Sequence, residues 1–215
     1  MVEDELLTLI GLLLRGVEYT LYVAGSCFMT AFTLGLGITA LRRLTHRNVG
    51  RVLSLFVFVV RSIPVLVLLF LIYFGLPSVG ISPSPLLAMN LSLGVIGAAY
   101  LSEVFRGALD SVDENEIAAA RAMGFTPLQI ITSIEFPQML RFSVPGMTNE
   151  LTAIIKSTPF AYTVGIPEIF GQAKALTAST LLGVNIYLIV GLLYFCIYKV
   201  FVLIIGRIGS PHRSQ

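Results

Sequence analysis

The chain has no tryptophan, two cysteines and three lysines, and charged residues make up only 12% of its 215 positions. A soluble domain carries about 25% charged residues, so half the usual complement is missing. A soluble globule of this length could not hide the 56% that are hydrophobic, because much of its surface still faces water. The sparse charge therefore excludes a soluble domain and leaves an integral membrane protein. A net charge of +2 gives no support to nucleic-acid binding. Cys27 and Cys196 sit inside apolar runs and read as small packing residues rather than a disulfide. Glu3, Asp4 and Glu5 stand where a signal peptide would be positive, so no cleavable signal is expected.

Other absences bear on chemistry. There is no Gly-x-x-x-x-Gly-Lys-[Ser/Thr] loop to cradle nucleotide phosphates. No His/Cys/carboxylate cluster has metal-ligand spacing, and no nucleophile–base pair stands out. No capture domain, glycine-rich linker or internal repeat is evident. The sequence therefore reads as one membrane domain over 1–215, without metal or bound cofactor and inert as a catalyst by itself.

What is present is a series of long apolar runs. A membrane-crossing helix needs roughly 20 predominantly apolar residues at 1.5 Å rise each. Five segments qualify, at about 17–41, 52–76, 82–106, 142–167 and 175–198. The shorter Leu6–Leu14 reads as an interfacial helix or an extension of the first span. Arginine placement orients them. The first connection holds Arg42, Arg43, Arg47 and Arg51 and no acid, so it belongs inside the cell. Pro77–Pro85 is uncharged and belongs outside. The stretch from Arg106 to Arg141 returns inside, Glu168–Lys174 lies outside, and the tail with Lys199, Arg207 and Arg213 lies inside. The N-terminus is then outside and the C-terminus cytoplasmic, in a bacterial plasma membrane.

The third connection, 110–140, is too long for a simple loop and is patterned like folded structure. Asp113, Glu114 and Glu116 place negative charge at a helix start, where it complements the macrodipole. Ile117–Met123 is rich in helix formers, and Gly124 can take the left-handed position that ends a helix. Thr126 and Pro127 read as cap and first residue of a second short helix, which Pro137 is expected to end. Alanines at 118, 119, 120 and 122 give a helix surface without bulk, open to close approach by a partner.

Glu116-Ile117-Ala118-Ala119-Ala120-Arg121-Ala122-Met123-Gly124, followed after nine residues by Ile134-Glu135-Phe136-Pro137, resembles the EAA loop of ABC-importer membrane subunits. In that family the pattern is Glu-Ala-Ala, three residues, Gly, nine residues, Ile, any residue, Leu-Pro. Here Ala119, Ala120, Gly124, Ile134 and Pro137 stand in register, Phe136 replaces the leucine, and the glutamate position is Ala118. Ala99-Tyr100-Leu101-Ser102-Glu103 through Arg106-Gly107, Arg61-Ser62-Ile63-Pro64 and Lys156-Ser157-Thr158-Pro159 are similar to segments of the polar amino-acid permeases (the histidine/arginine/glutamine type). The resemblance runs from about Arg15 to Arg207. It implies an all-α, type I importer-like fold and a translocation path shared with a second permease subunit, identical or homologous. It also implies a pair of ATPase subunits carrying ATP and Mg, an extracellular or periplasmic amino-acid-binding protein, and an amino-acid substrate. The coupling residues it implies are Glu116, Ala118, Ala119, Ala120, Arg121, Gly124, Ile134 and Pro137. Glu116 and Ala118 are two residues apart, roughly 200° around a helix, so Glu116 is no simple substitute for the family glutamate.

Charged groups within a span cost several kcal/mol unless they face protein, water or a partner charge. The fourth span holds Glu150 and Lys156, with Pro145, Gly146, Pro159, Gly165 and Pro167 favouring breaks in the helix. Asn149 shares a face with Lys156. Asn149, Glu150, Lys156 and Thr158 are therefore the candidate border of a substrate path, against the alternative of structural pairing with another helix. Arg61 and Glu103 read as ion-paired or snorkelling, and Phe56, Phe58, Phe70, Tyr73 and Phe74 as lipid-facing or packing residues. A rival reading of the whole chain is an ion-coupled carrier or channel subunit using Glu150. It leaves the folded loop at 110–140 unexplained.

Overall fold

The structure is a computed structural model that describes residues 2–180 and 183–209, with side chains described over 11–46, 48–180 and 183–205. Helices account for nearly all of it, and no strand occurs among the described residues. The first helix, α1 (Val2–Leu44), is 43 residues long, about 65 Å at 1.5 Å per residue. That is twice the hydrocarbon thickness of a bilayer, and Leu6–Leu14 is thus a continuation of the first span.

Three helical stretches among the described residues are long and apolar enough to cross a membrane: Gly11–Leu44, Pro85–Leu109 and Gly183–Ile205. A fourth is bent. Helices α2 (Arg47–Ser62) and α3 (Val65–Phe70, continued by wider and tighter turns to Val79) meet at 96°. The cause is Pro64. It disfavours helical geometry at the preceding residue, and Ile63 is extended at φ −87°, ψ 127°. The span expected over 52–76 is therefore two helices with Arg61 and Ser62 at the elbow.

The segment expected to span at 175–198 is divided between two helices in the structure. Residues Ile169–Thr180 form α9, and α10 begins at Gly183. Tyr194 Oη donates to Glu168 Oε2 at 2.9 Å. On one straight helix those residues would stand about 39 Å apart, so α9 and α10 fold back on each other as a hairpin. Apolar composition conceals that turn.

The centre of the molecule is α4 (Pro85–Met89), which passes through a wide turn at Asn90–Gly94 into α5 (Val95–Leu109). In the most apolar part of this rod 61% of residues are buried, against 11% in α10, so α5 is core and α10 periphery. Small residues permit the close approaches. A Cβ on Gly97 would stand 2.9 Å from Ala31 Cβ of α1. Polar side chains also link α1 to this rod: Thr30 Oγ1 donates to Asn90 Oδ1 at 2.9 Å and Thr39 Oγ1 to the Ser102 carbonyl at 3.2 Å. Within lipid such small-residue packing and interhelical hydrogen bonds replace the hydrophobic effect as the glue.

Helix α8 (Phe136–Ser157) crosses α5 where a Cβ on Gly146 would overlap the methyls of Val104. Valine is stiff at χ1 and cannot swing clear. Gly146→Ala is accordingly expected to lower stability by about 1–3 kcal/mol, the usual range for overpacking. The double variant Gly146→Ala/Val104→Ala should recover most of it, as read by thermal unfolding in detergent.

Pro137 does not end a helix. Helix α7 (Pro127–Ile130) continues through a wide turn at Ile131–Glu135 into α8, and Pro137 sits in the first turn of α8, where a missing N–H is tolerated. Nor does Pro145 break α8, which runs on to Ser157. The break comes later, at the tight turn Thr158–Val164, closed by Gly165 at φ +89°. Cys27 and Cys196 are both free. Phe56, Phe58, Phe70 and Phe74 are all at least 40% exposed, and Tyr73 is half-buried.

Candidate functional site

Local sequence dictates the hairpin between α5 and α8. Helix α6 (Glu114–Ala122) is capped by Asp113, whose Oδ1 accepts from the Asn115 amide at 2.9 Å. At its other end the Phe125 amide donates to Ala120 O and the Gly124 amide to Arg121 O, both at 3.0 Å. This paired closure requires a left-handed residue between, and Gly124 provides it at φ +85°. Thr126 and Gln129 then cap α7 reciprocally: the Gln129 amide donates to Thr126 Oγ1 at 3.4 Å, and the Thr126 amide to Gln129 Oε1 at 2.8 Å. Two short helices with a fixed turn result.

Their outer surface is small and apolar. Ala118, Ala119 and Ala122 are exposed, and only Ala120 faces inward. Met123 is 72% and Leu128 69% exposed at the tip. A long apolar side chain left open beside a strip of alanines is a surface shaped for another protein.

The expected coupling residues divide on this frame. Glu116 Oε2 accepts from Gln138 Nε2 of α8 at 2.5 Å, so it is engaged within the chain. Arg121 is exposed and has no side-chain partner among the described residues. Ile134 is half-buried in the wide turn and Pro137 exposed. Sequence reading missed one of the two residues between them. Glu135 is 4% exposed and accepts from Arg43 Nη2 of α1 at 2.5 Å. It occupies the position the motif leaves open, and its partner is 92 residues away, so no local signal marks it.

The four candidate path residues do not converge. Glu150 is half-buried on α8, with Oε1 3.2 Å from where a Cβ on Gly97 would lie. Arg61 is exposed, and its guanidinium lies 4.4 Å above the Tyr100 ring. Lys156 is exposed, its Nζ 5.8 Å above the Tyr198 ring, and Asn149 is exposed. Thr158 is fully buried, donates to the Ile155 carbonyl at 2.8 Å, and lies 3.4 Å from Tyr194 Oη. Glu103 pairs with Arg42 at 2.6 Å and with Arg106 at 3.0 Å, while Arg61 is held by an aromatic ring.

A second residue that sequence reading passed over is Glu168. It is fully buried, and its carboxylate accepts from the Phe170 amide at 2.8 Å, the Gly171 amide at 2.6 Å and Tyr194 Oη at 2.9 Å. Burial pushes its carboxyl above the usual range, while those three donors pull the other way. Thr20 Oγ1 accepts from the neighbouring Ile169 amide at 3.3 Å. The cluster joins α1, α9 and α10 to the turn after α8.

Apolar rods with embedded charges, joined to an exposed folded hairpin, define a membrane subunit built to engage a second protein. Residues 31–208 match the family described as the binding-protein-dependent transport system inner membrane component, and the chain belongs to that family. It is 31% identical over 209 residues to the probable amino-acid permease protein YxeN of Bacillus subtilis, covering 94% of this chain and 93% of that one. It is 32% identical to the histidine/lysine/arginine/ornithine transport system permease protein HisQ of Escherichia coli, over 86% of each chain. Among solved structures, an amino acid ABC transporter with histidines superposes with a TM-score of 0.87 at 24% identity, covering 95% of this chain and 96% of that one. An inward-facing form of the MetNI methionine ABC transporter gives 0.78 at 26% identity, covering 93% and 95%.

Proposed function

We propose that this chain is the membrane permease subunit of an ATP-driven ABC importer for amino acids. The observation that carries the reading is the α6–α7 hairpin: a rigid, alanine-faced element with an exposed apolar tip, which the chain itself leaves uncovered. It fits a groove on a separate ATPase subunit, where ATP and Mg bind. Family membership and the amino-acid permeases among its relatives support the same assignment. An ion-coupled carrier or channel has no use for such a hairpin.

In this reading the chain spans the bilayer five times. The bent α2–α3 pair makes one crossing and α8 with its following turn makes another. The N-terminus is outside and the hairpin and C-terminus are cytoplasmic, in agreement with the arginine distribution. The translocation path runs between two permease subunits, and an external binding protein delivers the amino acid. With Ala118 at the family's glutamate position and Glu116 held by Gln138, docking rests on shape rather than on an acidic anchor.

Of Asn149, Glu150, Lys156 and Thr158, the candidate border of the substrate path, Glu150 is the foremost, a half-buried carboxylate on α8 set against Gly97 of α5. Glu150→Gln is expected to lower uptake about tenfold, the loss of one charge-assisted contact, with ATPase docking intact. Liposomes containing the permease, its ATPase and its binding protein, screened across the amino acids, test the whole proposal. Vanadate-sensitive uptake of an amino acid supports it, and full-rate uptake in vesicles without the ATPase overturns it. Unchanged affinity and rate in Glu150→Gln remove that residue from the path.

A further inference from the structure

Two adjoining hollows lie where α1 ends against the hairpin. One, of about 390 Å³, opens between Arg43 and Leu44 of α1 and Arg121, Phe125 and Ile130 of the hairpin, with Glu135 in its floor. The other, of about 160 Å³, shares Arg43, Leu44 and Glu135 with the first and continues along α1 between Leu36, Ala40 and Met139. Apart from Thr39, the walls of this deeper part are apolar. Together they form a polar mouth leading into a greasy slot.

Charge and depth say what fits. Glu135 is neutralised by Arg43, whose side chain remains 54% exposed with further N–H groups free. Arg121 adds a second guanidinium that has no partner among the described residues. The mouth therefore carries one positive charge in excess. Arg43 is the penultimate residue of the apolar stretch Gly11–Leu44, where α1 passes from apolar sequence into the arginine-rich connection. Ala40 and Leu36 lie about 4.5 and 10.5 Å further along the helix towards the bilayer centre. An anion at the interface joined to a hydrocarbon chain below it matches this arrangement. A free anion would leave the slot empty, and a purely apolar occupant would leave Arg121 unpaired.

We propose that the composite hollow binds one anionic phospholipid. Its phosphate accepts hydrogen bonds from Arg121 and from the free N–H groups of Arg43, and one acyl chain lies along Leu36, Ala40 and Met139. Basic pockets between membrane helices at the interface are suited to such headgroups. Because the site bridges α1 and the hairpin, the bound lipid ties the hairpin to the membrane core. The proposal is independent of which solute is carried and of which residues border its path.

The test is native mass spectrometry of the purified assembly in detergent, titrated separately with phosphatidylglycerol and phosphatidylcholine. The expected result is one phosphatidylglycerol retained per permease chain in preference to phosphatidylcholine. Ala40→Phe fills the slot without touching the ion pair. Arg121→Gln removes an exposed, unpaired cation and should leave folding intact. Each is expected to weaken retention about tenfold, the value of one charge-assisted contact or of a blocked chain site. Inorganic phosphate and glycerol phosphate should fail to displace the lipid. Equal retention of the two lipids, or undiminished phosphatidylglycerol binding in Arg121→Gln, overturns the proposal. Displacement by inorganic phosphate would instead identify a site for a free anion.

Discussion

Gly124→Val is expected to abolish most ATP-driven uptake while leaving the membrane helices folded. The residue sits at φ +85° between two short helices, and a Cβ placed on it meets nothing within 4 Å. A bulky residue here therefore does not clash with any neighbour; it resists the backbone conformation itself. Holding a β-branched side chain in the left-handed region costs about 1–3 kcal/mol. The chain can escape that cost by opening the turn, which would break the paired closure from Phe125 to Ala120 and Gly124 to Arg121. Either way Met123 and the exposed alanines lose their fixed relation to α7. Gly124→Asn is the control, because asparagine tolerates this region better than other residues, and it should keep most of the uptake. Uptake and ATPase activity measured together in liposomes distinguish the outcomes. Normal solute transport by Gly124→Val would show that the hairpin does not transmit force.

The hairpin was legible because everything that shapes it is local. Asp113, Gly124 and the Thr126–Gln129 pair act within a few residues of their own positions, and each is a recognisable signal in one dimension. The membrane helices were legible only as lengths of apolar sequence. Apolarity at 52–76 does not reveal that Pro64 turns the chain through 96°. At 175–198 it does not reveal that α9 and α10 fold back on each other. Pro137 misled for a related reason. Its effect on a helix depends on where the preceding turn widens, and the wide turn at Ile131–Glu135 has no distinct sequence mark. The charged side chains were visible from the start, but their partners were not. Glu135 meets Arg43 and Glu103 meets Arg42 across 92 and 61 residues. Such pairings follow from helix packing and cannot be read from spacing.

Glu168 shows the largest consequence of that gap, and Glu168→Ala is expected to be the most destabilising single change in the chain. The sequence places it in the short outer connection Glu168–Lys174, where a carboxylate needs no explanation. In the structure it is 0% exposed and satisfies two amides that begin α9 together with the hydroxyl of Tyr194. The amides are helix-terminal donors with no partner inside the helix, so the side chain performs the work of a cap from within the core. Removing it leaves buried donors without acceptors, at about 1–3 kcal/mol each, and partial relaxation of the α9–α10 hairpin should hold the total to about 3–5 kcal/mol. Glu168→Gln keeps one acceptor oxygen but turns an NH2 group towards donors, so it should fall between the wild type and alanine. Tyr194→Phe removes one hydroxyl, with its contacts to Glu168 and Thr158, but leaves both α9 amides capped and should cost least. The ordering Ala, Gln, Phe in falling severity, measured by thermal unfolding of the detergent-solubilised assembly, is specific to a carboxylate acting as a shared acceptor. A mere packing role for Glu168 predicts that Gln, with the same volume, is silent. The close approach of Gly16 to the Ile169 backbone, where a Cβ would lie 2.8 Å from Cα, shows why the cluster cannot easily be bypassed. Helix α1 is already in contact with the start of α9, leaving no room for water to replace the carboxylate from that side.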